Sequence, residues 1–166
     1  MPNDAWVQLA LDEYETYWEP FNERFGFTPG MDPSRWPAIR EPSPSVTIDL
    51  SPIFDHEGSR FASGARAVDA MGLYAFTCVT RPGDELVVLD WQHPCYLFSP
   101  HRQATDASDW SVPIFPNGDY YAFLTRDFSM GTFGHPWEQS LCVFGEPLIE
   151  RLAEPLAAML GVKRRR

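Results

Sequence analysis

The spacing of apolar residues changes period twice along this chain, so neither an all-helical nor an all-strand fold accommodates it. Residues 4–25 repeat at a helical interval. At 100° per residue, Trp6, Ala10, Tyr14, Tyr17, Trp18, Phe21 and Phe25 fall within an arc of roughly 120°. Pro20 lies inside that pattern and should kink or divide the helix. A proline-rich connection over 28–45 leads to "VTIDL", a short strand by alternation and β-branching. Residues 60–76 then set Phe61, Ala65, Val68, Met71, Ala75 and Phe76 on one helical face, with Gly64 and Gly72 weakening the pattern.

Beyond this helix the interval shortens to two. "DELVVLDW" reads as a buried strand and "CYLFS" as its partner after a Gln-His-Pro turn. "SVPIFPNGDYYAFLT" reads as a hairpin about Asn117-Gly118, and "SLCVF" as the last strand. Gly145 ends that strand and helical spacing returns, with Leu148, Ile149, Leu152, Leu156, Met159 and Leu160 on one stripe. Pro147 suits an early helix position, whereas Pro155 implies a break. The order predicts an α+β domain: a mainly antiparallel sheet of five or six strands with about three helices packed on one face. One domain is expected over residues 1–162, followed by a basic tail at 163–166 that frays.

Charge narrows the partners. The chain carries 13 Lys and Arg against 23 Asp and Glu, a net of −10, and four of the cations are Lys163, Arg164, Arg165 and Arg166. Such an acidic body repels phosphate backbones, so nucleic acid is not an expected partner. No apolar run approaches a membrane span, and the acidic N-terminus is unlike a signal peptide, which points to the cytoplasm. Cys78, Cys95 and Cys142 are odd in number and embedded in apolar stretches, as buried reduced thiols would be.

Glu15, Glu19 and Glu23 are spaced i, i+4, i+8 on the first helix. Like charges so placed each destabilise a helix by roughly 0.2–0.5 kcal/mol. A solvated face usually mixes signs, so these three are candidate contacts for a basic partner, with plain solvated surface as the alternative.

Two His-Pro pairs carry the remaining chemistry. His93 follows Asp90 and Trp91, and His135 precedes Trp137 and Glu138, so each imidazole has a carboxylate three residues away in a turn-prone segment. That pairing suits general acid–base work; the structural alternative is a rigid corner whose ring bonds to backbone. Trp91, Tyr121 and Trp137 are candidates to line an aromatic pocket, although alternate aromatics also fill cores. Cys-x-x-Cys, His-Glu-x-x-His, nucleophile-elbow and phosphate-loop patterns are all absent, so no metal and no cofactor is expected. A metal site would need convergence of residues distant in the chain.

The stretches "WEPFNERFGF", "WPAIREPSPSVTIDL", "LDWQHPCYLF", "PNGDYYAFLTRDF" and "GTFGHPWEQSLCVFGEPL" run from Trp18 to Leu148. Through them the chain resembles the bacterial domain-of-unknown-function family 2716. The resemblance implies that Trp91, His93, His135 and Trp137 belong to a shared body, and it assigns no activity. The general form of a small acidic α+β domain also resembles immunity proteins of toxin systems. Two functions follow. The first is a non-catalytic, immunity-like binding module that meets a basic protein through Glu15, Glu19 and Glu23. The second is a small-molecule enzyme or binder with an aromatic pocket and His93, His135, Asp90 and Glu138 as its acid–base groups.

Overall fold

The computed structural model describes residues 5–166. It is α+β, but its sheet has eight antiparallel strands rather than five or six, and five helical bodies rather than three lie among the described residues. In chain order the elements are β1 Trp6–Gln8, α1 Tyr14–Phe25, β2 Ser45–Asp49, α2 Ser51–Phe54, α3 Gly58–Val79, β3 Leu86–Asp90, β4 Tyr96–Phe98 and α4 Pro100–Asp106. Then come β5 Tyr121–Leu124, β6 Gly131–His135, β7 Ser140–Phe144, α5 Glu146–Leu148, α6 Glu154–Leu160 and β8 Val162–Arg165. Across the sheet the order is β1-β4-β3-β5-β6-β7-β2-β8.

The helices do not share one face. Leu86 and Val88 of β3 with Leu141 and Val143 of β7 pack against α3 and the C-terminal helix, through Val68, Phe76, Leu148 and Leu152. Their neighbours Val87, Leu89, Cys142 and Phe144 point the other way, onto Phe21 and Phe25 of α1. Successive strand residues face opposite sides, so two cores result, and burying each Phe or Leu contributes about 1.5–3 kcal/mol.

The predicted helix over 4–25 begins only at Tyr14, after a short 3₁₀ turn; Asp4 lies outside the described residues. Trp6 belongs instead to β1, where it stacks on Phe98 at 4.1 Å and donates its indole N–H to Gln103 Oε1 at 2.8 Å. The helix entry is set at Ala10, whose N–H is accepted by the Glu13 carboxylate at 2.8 Å. Pro20 sits on the exposed side of α1 without dividing it. At the other end Gly26 adopts φ +57, and the Arg40 guanidinium donates to the carbonyls of Glu23 and Arg24.

Four further expectations change. Residues 112–116 form no strand, because Pro113 and Pro116 cannot donate to a ladder. Ile114 and Phe115 insert into the α3 core instead, their N–H groups held by the Asp69 carboxylate at 2.9 Å each. Pro155 does not break the last helix: a π turn over Ile149–Ala153 joins α5 to α6 just before it, where its missing donor and ring must be accommodated. The terminus does not fray either, since Val162–Arg165 pair with β2. Cys95 and Cys142 are buried thiols, whereas Cys78 is exposed.

Strand β6 escapes a pattern search because Gly131 and Gly134 interrupt it, yet those glycines are needed. A Cβ at Gly131 would lie 2.3 Å from the Phe123 carbonyl oxygen. Gly131→Ala should therefore cost about 1–3 kcal/mol, read as a lower urea midpoint at unchanged m-value.

Candidate functional site

Strand register places both His-Pro corners at the same end of the sheet. Asp90 at the end of β3 pairs with Tyr121 at the start of β5, and Tyr121 pairs with Gly134 near the end of β6. The corner 91–95 and the corner 136–139 therefore flank the dipeptide Asp119-Tyr120. Asp119 meets the first histidine, with His93 Nδ1 3.1 Å from Asp119 Oδ2. Tyr120 meets the second, with its ring 4.8 Å from that of His135. The two corners meet through these neighbours, but the imidazoles share no environment.

His93 is 56% exposed on its side chain, and its Nδ1 also lies 3.0 Å from Asp90 Oδ1. The hydrogen bond that Nδ1 donates to the Asp90 carboxylate raises the affinity of the imidazole for its proton. Burial pushes the Asp90 carboxyl up to about 6, against the partial relief that His93 supplies, and the charge of Asp119 adds to the rise. Oxygen and nitrogen donors of Asp90, His93 and Asp119 all lie within 4.8 Å of one another, the one cluster among the described residues with the donors to hold a metal ion. Asp119 was not singled out from the sequence. Its only signal is the Asn-Gly turn that precedes it, because its partners lie far away in the chain.

His135 is only 1% exposed. Its Nδ1 accepts the Glu138 backbone N–H at 3.0 Å, so the neutral ring carries its proton on Nε2, which is buried with no hydrogen-bond partner among the described residues. Trp36, Tyr120 and Trp137 surround the ring edge-on. Burial drives the His135 pKa down to about 4.

The charge of the Glu138 carboxylate favours protonation of that ring, but among the described residues its oxygens hydrogen-bond elsewhere. Glu138 takes a bidentate contact from Arg164, Nη2 to Oε1 at 2.8 Å and Nη1 to Oε2 at 3.0 Å, and a bond from Ser140 Oγ at 2.6 Å. Arg164 donates on its other side to Glu41, Nε to Oε1 at 2.7 Å, and Thr47 Oγ1 also donates to Glu41. Burial opposes ionisation of Glu41 and Glu138, but these hydrogen bonds outweigh it and hold both carboxyls below the usual range. The other tail cations also pair within the domain: Lys163 with Asp49, Arg165 with the exposed Glu154, and Arg166 with the buried Glu41.

The three pocket aromatics are not brought together. Trp91 and Trp137 pack on the α1 core, whereas Tyr121 packs on the α3 core. Tyr120 occupies the space between the two indoles, at 5.8 Å from Trp91 and 5.2 Å from Trp137. Its hydroxyl also exchanges hydrogen bonds of 3.0 Å with the backbone of Gly30, tying the proline-rich segment to the sheet. Outside this tier, shallow grooves run between α1 and the first corner; Tyr14, Trp18, Gln92 and His93 line one of them. Glu15, Glu19 and Glu23 are all exposed, and none of them forms an ion pair among the described residues.

Residues 8–149 match the model of a family described as "Protein of unknown function (DUF2716)". The chain belongs to this family. It is similar to "Uncharacterized protein YxiI" of Bacillus subtilis (strain 168), with 36% identity over 151 residues that cover 89% of this chain and 91% of that protein. No solved structure matches. The family span includes both His-Pro corners and the acidic helix but ends before β8. No helix among the described residues is long and apolar enough to cross a membrane.

Two outcomes follow for this DUF2716 domain. Arg164→Ala would leave Glu41, with 0% side-chain exposure, facing Glu138 at 9%. Losing one partner of a buried pair costs about 3–5 kcal/mol; with Arg164 itself 28% exposed, about 2–4 kcal/mol is expected in denaturant melts. His135 titrates near 4 when folded and near 6.5 when unfolded, so the unfolded chain binds more protons between those values. Its contribution is full above pH 6.5 and is lost as pH falls towards 4, on the order of 3 kcal/mol in all. His135→Gln should flatten that part of the stability–pH curve.

Proposed function

We propose that this protein is a non-catalytic binding module, immunity-like in kind, that engages a basic protein through the acidic face of α1. The carrying observation is the contrast in how charge is compensated. All four cations of the C-terminal segment pair with carboxylates of the domain itself, while Glu15, Glu19 and Glu23 stand exposed along one helix with no counter-ion among the described residues. A like-charged i, i+4 series costs helix stability, and complementary potential chiefly accelerates and specifies association. An exposed Leu11 at 84% lies one turn before Glu15 and adds an apolar contact beside the acids. Sealing of His135 and the engagement of Glu138 by Arg164 weigh against acid–base chemistry at the second corner.

Small-molecule binding at the first corner is a second reading. It is favoured by one specific observation, the exposed His93 at the rim of a groove with Tyr14 and Trp18. Of the four acid–base candidates, only His93 and Asp90 serve it.

Replacing Glu15, Glu19 and Glu23 together by Lys separates the two. The binding reading expects loss of a salt-sensitive complex with a basic protein, measured by calorimetry with the purified partner, while His93→Ala binds as the unaltered chain does. Unchanged binding by the triple variant would reduce the stripe to solvated surface.

A further inference from the structure

We propose that Asp90, His93 and Asp119 form a divalent-cation site, binding a first-row ion such as Zn²⁺ or Mn²⁺ through one imidazole nitrogen and two carboxylate oxygens. The site is separate from the α1 acids and does not depend on the function proposed for them.

The donors converge from three segments: the end of β3, the following corner, and the turn before β5. Their meeting is fixed by the register that sets Asp90 against Tyr121. His93 Nδ1 lies 3.0 Å from Asp90 Oδ1 and 3.1 Å from Asp119 Oδ2. A single proton on Nδ1 cannot be fully donated to both oxygens, and without that proton a lone pair faces two carboxylates. A cation at the centre of the three removes the conflict. Donors about 2.1 Å from the ion stand about 3.0 Å apart along an octahedral edge and about 3.4 Å apart around a tetrahedral ion, so spacings of 3.0 and 3.1 Å sit nearer the octahedral figure and need little adjustment for either.

The surroundings point the same way. The side chains of Asp90 and Asp119 are only 14% and 15% exposed, yet among the described residues no Lys or Arg pairs with either. Among the described residues the one cationic group that pairs with them is an imidazole that is itself mostly in water. Asp119 is also pre-oriented: its Oδ1 accepts the Tyr120 backbone N–H at 2.8 Å, leaving Oδ2 turned to the cluster, as outer hydrogen bonds orient metal ligands elsewhere. A nitrogen donor beside two carboxylates favours first-row ions over Mg²⁺ or Ca²⁺. Three protein donors and an exposed imidazole leave water room to complete the coordination shell.

The test uses the full chain, freed of metal with a chelator and titrated with Zn²⁺ and with Mn²⁺ by calorimetry near neutral pH. One ion per chain should bind and raise the melting temperature. His93→Ala and Asp119→Asn should each weaken binding at least about tenfold and abolish the thermal shift, while Glu150→Gln, at an exposed position on the C-terminal helical segment, leaves both unchanged. If Asp119→Asn fails to fold, His93→Ala decides, because its ring is largely solvent-facing. Absence of binding by either ion, or binding that survives His93→Ala undiminished, overturns the proposal. Either result leaves the triple-Lys experiment on α1 to stand or fall separately.

Discussion

A sheet whose central strands are apolar on successive residues cannot leave either face to water, and most of this architecture follows from that constraint. Val87 and Val88, or Cys142 and Val143, point in opposite directions and are all buried. Two covering layers are therefore required. The long helix α3 and the C-terminal helix supply one; α1 supplies the other, together with Ala38 and Ile39 of the proline-rich segment. With both faces occupied, polar chemistry is displaced to the ends of the strands. There the His-Pro corners turn the chain and backbone groups again reach solvent.

At that end the same local pattern produces unlike outcomes. Each histidine has a carboxylate three residues away, but the local chain decides only that they are near. His135 falls at the last position of β6 and faces inward, under Trp36, Tyr120 and Trp137. His93 stands in the middle of its turn and faces outward. Glu138 then finds Arg164, which approaches from the far edge of the sheet and lies between two carboxylates that burial would otherwise neutralise. The most basic segment of the chain consequently fastens the sheet edge through carboxylates of the same domain, and among the described residues Glu15, Glu19 and Glu23 of α1 have no counter-ion at the surface.

Several of these features were visible in the residues. The unbroken apolar runs "LVVL" and "LCVF" signal strands buried on both sides, contrary to an expectation of helices on one face only. The strands β2, β3, β4 and β7, the helix α3 and the helical stripe after Gly145 follow their periodicity. Strand β1 does not, because a three-residue strand cannot be distinguished from the extension of a helical pattern until Trp6 has Phe98 to stack on. Nor does β8, whose charged residues read as a tail until Glu41 and Glu138 are placed opposite Arg164.

Local chemistry, read from the sequence by itself, determined the class of the fold, the acid stripe on α1, and the position of both histidines at corners, since period, charge spacing and His-Pro dipeptides act over a few residues. Tertiary structure alone decided which histidine reaches solvent, which carboxylates are locked by Arg164, and that Asp119 joins Asp90 and His93. Those outcomes depend on strand order and register, and these bring together residues separated by tens of positions through the burial of side chains that carry none of the chemistry themselves.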